Sequence, residues 1–232
     1  MIFGVCRLCL IFLTRNTLNK TQNNQVTQPK MEIEIKQRFA NKDDFDRFKS
    51  HMFSIATAHH TQIQTNHFFN DTEGYFNTNR IALRLREINN DGLLSYKITI
   101  KGRHTIVDGV SSAAERETDI TPEFFRAALE DPTKILTLDW PYGLEMIDSV
   151  KSLVYIGNFK TIRSCVTIQE VPELFEIDET HFPETVEYEL EVESIRASEV
   201  MPFIIDLANS LNIELRASTQ SKFKTFLTQL KQ

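Results

Sequence analysis

Three charged residues alternate with isoleucine immediately after Met31, in the order Glu32, Glu34 and Lys36. In a β-strand these three side chains share one face, because strand side chains alternate with a period of two. Two carboxylates this close are hard oxygen ligands for Mg²⁺ or Mn²⁺, and a lysine beside them can contact the phosphate that such a metal accompanies. Solvent-exposed strands of antiparallel sheets carry similar patterns, so this motif alone allows either a site or a surface.

The same alternation recurs in other predicted strands, and each strand carries mainly one sign of charge. Basic pairs are Arg84 with Arg86 and Lys97 with Lys101, whereas acidic sets are Glu176 with Asp178 and Glu187, Glu189, Glu191 and Glu193. Like charges side by side repel more strongly as water is excluded, so such clusters favour an external counter-charge. If the sheet closes into a barrel with these faces inside, the acids can hold a divalent metal and the bases an oligophosphate.

The elements that would position these side chains can be read from periodicity and capping residues. Asn41 predicts the start of a helix with Phe45, Phe48, Met52 and Ile55 on one face, and Thr121-Pro122 predicts the start of another. Further helices are predicted at about 197–211 and 219–229. After the opening strand, further strands are predicted at 61–69, 81–88, 94–101, 114–120, 153–159, 163–169, 174–179 and 186–193.

Composition restricts the class of protein. The 232 residues suffice for one domain with a substantial core. Beyond residue 30 the chain has 22 basic and 32 acidic residues, which argues against a nucleic-acid-binding protein. Three cysteines are too few for a disulfide framework and suit a reducing compartment. We therefore expect a cytoplasmic monomer that binds a small anionic substrate.

Residues 1–30 differ from the rest, with four basic residues and no acidic one. Their apolar stretch is shorter than the ~20 residues that span a bilayer, so no stable membrane anchor is expected. We interpret 1–30 as an N-terminal extension, either an organelle-targeting segment, such as a mitochondrial presequence, or the product of a start assigned upstream of Met31. Residues 31–232 are then the functional domain.

Taken together, these strands resemble the triphosphate tunnel metalloenzymes, or CYTH superfamily, which includes class IV adenylyl cyclases and thiamine triphosphatases. The family's Glu-x-Glu-x-Lys opening matches residues 32–36, its Arg-x-Arg strand matches residues 84–86, and its lysine-bearing strand matches residues 98–103. A later arginine, two acidic strands and a C-terminal lysine follow in the family's order. The resemblance implies an α+β fold in which an eight-stranded antiparallel β-barrel forms a tunnel with a charged interior and helices outside.

The resemblance also implies roles for individual residues in a metal-dependent reaction with Mg²⁺ or Mn²⁺. The implied catalytic residues are Glu32, Glu34, Lys36, Arg84, Arg86 and Lys101. The implied substrate-binding residues are Lys36, Arg84, Arg86, Lys101, Arg103, Arg163 and Lys222, and the implied metal ligands are Glu32, Glu34, Glu115, Glu117, Asp178, Glu189 and Glu191. Plant-type members carry a basic residue where this chain has Ser112, and Arg116 or Arg103 could replace it.

The pattern looks most like the plant-type inorganic tripolyphosphatases, which implies hydrolysis of tripolyphosphate to diphosphate and phosphate. Animal thiamine triphosphatases have a tryptophan at the position of Ala82, and Trp140 is interpreted as a packing residue. Thiamine triphosphatase and adenylyl cyclase remain alternatives, and so does a polyphosphate-binding module without activity. A metal site built from His59, His60 and His67 is a further alternative, although strand histidines are usually structural.

Overall fold

The computed structural model describes residues 30–230. Its strands are β1 (Lys30–Phe39), β2 (Ala56–Asp71), β3 (Ala82–Asn90), β4 (Leu93–Val107), β5 (Val110–Asp119), β6 (Leu153–Ile168), β7 (Phe175–His181), β8 (Val186–Glu193) and β9 (Leu215–Ala217). Its helices are α1 (Lys42–Ile55), α2 (Tyr75–Asn79), α3 (Pro122–Glu130), α4 (Pro141–Leu144), α5 (Ala197–Ser210) and α6 (Lys222–Gln229), with a 3₁₀ helix at Pro132–Thr137. The predicted extension at 1–30 lies outside the described residues apart from Lys30, where β1 begins.

Eight antiparallel strands close into a barrel. Their order is β5-β4-β3-β2-β6-β7-β8-β1, and β1 pairs with β5 to complete the ring. The first half of β1 pairs with β5, whereas its second half pairs with the short strand β9 on the same side. The predicted eight-stranded antiparallel barrel, with charged residues inside and helices outside, is confirmed.

Strands β2, β4 and β5 are longer than predicted, and two predicted strands form a single one. Residues 153–159 and 163–169 were predicted as two strands, but the structure has the single 16-residue strand β6. The strand continues through Gly157, which has φ = 124°, and its register with β2 shifts between Phe68 and Phe69. Glycine tolerates this φ, so β6 pairs with β2 on both sides of the irregularity.

Apolar helix faces cover the outside of the barrel in two large clusters. In the first, α1 and α5 pack on β1, β7 and β8, and Phe45, Phe48 and Met52 of α1 are buried as predicted, while Ile55 remains 36% exposed. Asn41 caps α1, accepting a hydrogen bond from the Asp44 amide. The helices cover the apolar, outward-facing side chains of the strands. The alternate side chains of each strand point into the barrel and can be charged.

The second cluster packs α2, α3 and the 3₁₀ helix against β2, β3 and β4, and it contains Trp140, which is 9% exposed. The interpretation of Trp140 as a packing residue is therefore confirmed. A smaller cluster places Phe226 of α6 against Phe68 and Phe159. No helix in residues 30–230 combines the length and apolar character needed to cross a membrane.

Candidate active site

The barrel encloses a cavity of about 1120 Å³. Eleven of the residues predicted for the site line it: Glu32, Glu34, Lys36, Arg84, Arg86, Lys101, Glu115, Glu117, Arg163, Glu191 and Lys222. Three predicted site residues do not, namely Arg103, Asp178 and Glu189. The charged faces predicted for separate strands therefore line one common cavity.

The arginine-bearing strand β3 and the glutamate-bearing strand β8 lie on opposite sides of this cavity. Strand β3, which carries Arg84 and Arg86, is separated from β8, which carries Glu191, by three strands in either direction around the ring. Strand β3 thus forms a basic wall and β7 with β8 an acidic wall, whereas β1 carries both signs inward and Glu115 and Glu117 of β5 lie beside the basic wall. This separation allows an anion and a metal to bind side by side.

Three carboxylates on the acidic wall form a candidate metal site. Glu34, Glu176 and Glu191 each offer an oxygen within 4.8 Å of the others. Oxygen donors of this kind fit Mg²⁺ and Mn²⁺. Glu176 was not among the predicted site residues, although its alternation with Asp178 on the same strand was the signal that could have identified it.

Opposed carboxylates in this wall are held together by cations. Glu176 lies directly opposite Glu191 in the β7–β8 ladder, and Asp178 lies directly opposite Glu189. Arg163 joins the first pair, with Nη1 donating to Glu176 and Nη2 donating to Glu191 at 2.6 Å. Like charges in directly opposite positions destabilise a sheet, so the cation is needed for this arrangement to form.

Glu191 is the centre of the acidic wall. It accepts hydrogen bonds from Lys36 and from Arg163, and its Oε1 lies 2.6 Å from Nζ of Lys222. Burial by itself would raise the pKa of Glu191, but Lys222, Lys36 and Arg163 hold that pKa well below its usual range. Glu191 is therefore ionised and tightly oriented at neutral pH.

Glu34 differs from its neighbour in charge state. Burial, together with the negative charge of Glu191, raises the pKa of Glu34 to about 8. Its carboxyl group therefore retains a proton at neutral pH in the metal-free protein, although Lys36 Nζ lies 2.7 Å from its Oε2. An incoming divalent cation would displace this proton, which is the behaviour expected of a carboxylate that needs a metal to ionise.

Asp178 and Glu189 lie behind the cavity wall and hold its cations in place. Both oxygens of Asp178 accept hydrogen bonds from Arg163, Oδ1 from Nε at 2.8 Å and Oδ2 from Nη2 at 2.6 Å. Nζ of Lys222 also donates to Oδ2, at 2.7 Å. Glu189 accepts a hydrogen bond from Ser218 and lies 3.1 Å from Lys222. This geometry assigns them to positioning Arg163 and Lys222, which differs from the direct metal contact that the resemblance implied.

The basic wall has fewer internal partners. Arg84 donates to Thr99 at 3.1 Å and lies 3.8 Å from Glu117, and its buried Nε has no hydrogen-bond partner within residues 30–230. Arg86 donates from Nε to Asn66 at 2.8 Å, and no carboxylate of the described chain lies within 4.0 Å of it. Two partly buried guanidinium groups that share a single 3.8 Å counter-ion, Glu117, indicate that the wall receives an anion from outside.

Electrostatics support the same view of Arg86. Burial, reinforced by the positive charges of Arg84 and Arg163, lowers the pKa of Arg86 to about 9. The guanidinium still remains charged at neutral pH, so the shift measures how poorly this cation is compensated. A bound phosphate would supply the missing charge.

A bulge in β4 places two predicted substrate-binding residues, Lys101 and Arg103, on different sides of the strand. Lys101 points into the cavity and lies 2.6 Å from Glu32 and 2.5 Å from Glu115. Between Lys101 and His104 the register with β5 shifts, because Gly102 and Arg103 together oppose a single β5 residue. The extra residue reverses the alternation, and Arg103 is exposed outside the cavity. A bulge of this kind cannot be recognised from period-two spacing.

These two residues provide a matched pair of variants. Lys101→Ala is expected to lower the turnover of a triphosphate at least ~10²-fold, because it removes a cation that contacts the cavity. Arg103→Ala removes an equal charge two residues away and is expected to change turnover less than about 2-fold. Steady-state phosphate release from both variants, each checked for folding by circular dichroism, measures the difference. Equal losses in the two would contradict the inward and outward placements.

The two candidates to replace the basic residue absent at Ser112 are also separated by the structure. Arg116 lines the cavity and donates a hydrogen bond to Glu145 at 3.1 Å. Arg103 does not line the cavity. Ser112 itself shares a hydrogen bond with Thr105. Arg116 is thus the better placed of the two.

The histidines do not converge on a metal site in the part of the chain that the structure describes. His59 stacks on Phe53 with ring centroids 4.2 Å apart, and His67 shares a hydrogen bond with Tyr155. The candidate metal grouping found among these residues contains glutamates only. The structural interpretation of these histidines therefore remains the better one.

The sequence matches the family described as the CYTH domain over residues 30–227. The chain belongs to the CYTH domain family. No curated protein matched the sequence.

Solved structures with this CYTH fold include two described as putative cyclases. A putative adenylyl cyclase from Hippeastrum, reported to have a dominant triphosphatase activity, is 24% identical with a TM-score of 0.78, covering 86% of this chain and 96% of that one. A putative adenylate cyclase from Bacillus halodurans is 21% identical with a TM-score of 0.61, covering 84% and 98%. These likenesses concern the fold.

The same CYTH-like fold also occurs in a chain of the Schizosaccharomyces pombe Mediator head module. That chain is 8% identical to this one with a TM-score of 0.51, and the match covers 81% of this chain and 98% of that one. Since the fold occurs in such different proteins, activity has to be argued from the charged interior rather than from the barrel.

Proposed function

We propose that the protein hydrolyses a triphosphate in a divalent-metal-dependent reaction, with inorganic tripolyphosphate as its preferred substrate and diphosphate and phosphate as products. The observation that carries the proposal is the pair of partly buried guanidinium groups, Arg84 and Arg86, facing a wall of carboxylates across one cavity. A linear polyanion would supply negative charge to the basic wall, and a divalent metal bound with it would supply positive charge to the acidic wall.

On the basic side, the chain's own residues would bind and orient the phosphates. Arg84 and Arg86 can each pair two phosphate oxygens through their planar guanidinium groups, and the unpartnered Nε of Arg84 adds a further donor. Lys36 and Lys101 can act as point charges from neighbouring strands. Together these residues would fix the substrate along the cavity before any bond is broken.

On the acidic side, Glu34, Glu176 and Glu191 would hold Mg²⁺ or Mn²⁺. A bound divalent metal would offset charge on the phosphates and lower the pKa of a water molecule. Carboxylates that are already oriented by Arg163 and Lys222 would keep this geometry without reorganising during the reaction. Asp178 and Glu189 contribute by fixing those two cations.

The preference for an inorganic substrate rests on the wall next to Arg84. The residue two positions before it is Ala82, which lines the cavity without offering an aromatic surface. Loss of a cation–π contact worth roughly 0.5–2 kcal/mol would lower selectivity for a thiazolium ring. Tripolyphosphate needs only charged groups, such as those that line this cavity.

The experiment is a substrate panel on the full chain. Phosphate release from tripolyphosphate, thiamine triphosphate and ATP is measured with Mg²⁺, with Mn²⁺ and with EDTA, and the ATP samples are also assayed for cyclic AMP. We expect metal-dependent turnover with the highest kcat/KM for tripolyphosphate, and none with EDTA. Cyclic AMP as the main product would identify a cyclase instead. Tight binding of tripolyphosphate without turnover would identify a polyphosphate-binding module.

A further inference from the structure

One edge of the barrel is left without a neighbouring strand. Strand β2 has 16 residues but β3 has only nine, and β3 pairs with β2 from Ile63 to Phe69. The preceding residues, Ala58–Gln62, pair with β6 on one side and with no described strand on the other. We call Ala58–Gln62 the open edge. In an antiparallel ladder every second residue of such a segment directs its N–H and C=O groups outward.

The barrel covers a comparable edge elsewhere. Strand β6 extends beyond β7, which pairs only with Lys160–Val166, so residues 153–159 are also unpaired on that side. There α6 packs against the strand, with fully buried Phe226 contacting Phe159 at 5.7 Å between ring centroids. At the open edge the described contact with a helix is the stacking of His59 on Phe53 of α1, and Ala58–Thr61 remain exposed.

The open edge also lacks the features that usually prevent strand addition. Lysines, inward-pointing charges and prolines protect edge strands in natural proteins. The segment reads Ala-His-His-Thr-Gln, and no Lys, Arg, Asp, Glu or Pro occurs between Ala56 and Asn70. The bulge of β2 lies between Ala56 and Ala58, before the segment begins. The segment is therefore a regular strand available for pairing.

Exposed apolar side chains lie at both ends of this edge. Leu93 and Leu94, which follow the β3–β4 turn, are 76% and 52% exposed, and the turn lies where β3 ends beside Ile63. At the other end, Ile55 closes α1 and is 36% exposed. A strand added to the open edge would continue the line of β3 and end against Leu93 and Leu94.

We propose that the open edge pairs antiparallel with the open edge of a second copy of this chain across a two-fold axis. The midpoint of the segment is His60, so this residue would face its own copy, and Ala58 would face Gln62. Beyond the paired segment, the second copy leads back into its α1, which brings its Ile55 to the exposed Leu93 and Leu94. Each end of the edge thus matches the other, as an isologous contact requires. The result is a dimer, in contrast to the monomer expected from the sequence.

The test uses opposite charges at His60, which lies outside the proposed catalytic and binding residues. Analytical ultracentrifugation of the full chain should show a concentration-dependent dimer for the wild type. His60→Lys and His60→Glu should each raise the dimer dissociation constant at least ~10-fold, because like charges then face each other. Mixing the two variants should restore dimers, since residue 60 of one copy faces residue 60 of the other.

Val107→Lys is the matched control, because Val107 lies at the β4–β5 turn and is 67% exposed. Its dimer should be unchanged. Hydrogen exchange at the Ala58–Gln62 amides should slow as protein concentration rises. A wild type that stays monomeric, a dimer weakened equally by Val107→Lys, or a mixture without heterodimers would each overturn the proposal. Protection of these amides at every dilution would also overturn it, since the edge would then be closed within one chain.

Discussion

Arg86→Met is expected to lower turnover of tripolyphosphate at least ~10²-fold without destabilising the metal-free protein. The loss follows because Arg86 is a partly buried cation that lines the cavity, with Asn66 as its hydrogen-bond partner and no carboxylate of the described chain within 4.0 Å. Stability should be equal or higher, because a desolvated and poorly compensated charge is replaced by an apolar side chain of similar length. Steady-state kinetics and urea unfolding in EDTA measure the two quantities.

Arg86→Lys is the conservative control. Lysine retains the charge but cannot pair two phosphate oxygens, so turnover should fall less than in Arg86→Met. Arg84→Met should lose activity to a similar extent, since Arg84 has only the 3.8 Å contact with Glu117 as a counter-ion within the cavity. Near-normal turnover in both methionine variants would exclude the proposed phosphate-binding role of Arg84 and Arg86, whereas a large loss of stability would show that these arginines are structural.

Glu191→Gln is expected to affect both activity and stability. Lys36, Arg163 and Lys222 all contact this carboxylate, and the substitution leaves two buried cations and one partly buried cation with one fewer counter-ion. Removing one partner of a buried ion pair costs about 3–5 kcal/mol, so the unfolding free energy should fall by that order. Turnover should fall at least ~10²-fold, because the candidate metal grouping loses a ligand.

Glu187→Gln is the control on the same strand. Glu187 lies four residues earlier on the same face, does not line the cavity and pairs with Arg38 at 2.8 Å in a partly exposed position. Its substitution should cost no more than about 1 kcal/mol and change turnover less than about 10-fold. Isothermal titration with Mn²⁺ adds a readout that a purely structural role would not change. Unaltered Mn²⁺ affinity in folded Glu191→Gln would contradict the assigned metal site.

The strand faces were predictable because they depend on local geometry alone. Glu32, Glu34 and Lys36 share the interior because side chains of one strand alternate, and Arg84 and Arg86 do so for the same reason. Helix starts at Asn41 and Thr121 were also predictable, since a cap involves only residues three apart. The closed barrel, in contrast, required the family resemblance, since no single strand specifies its neighbours.

Glu176, Asp178 and Glu189 show where sequence reasoning stops. All three lie on inward-facing positions, but only Glu176 reaches the cavity, because Arg163 and Lys222 lie over the other two. Which carboxylate faces the cavity depends on contacts between residues 15–44 positions apart. Spacing along one strand contains no information about those contacts.

The opening motif therefore determined that two carboxylates and a lysine share a face, and together with the Arg84 and Lys101 strands it indicated triphosphate chemistry. Only the tertiary structure decided the partners. The β7–β8 register places Glu176 against Glu191, the bulge after Lys101 turns Arg103 outward, and the short β3 leaves Ala58–Gln62 without a described strand on one side. Register, bulges and strand lengths depend on how whole strands pack, whereas alternation is fixed by the backbone of each strand.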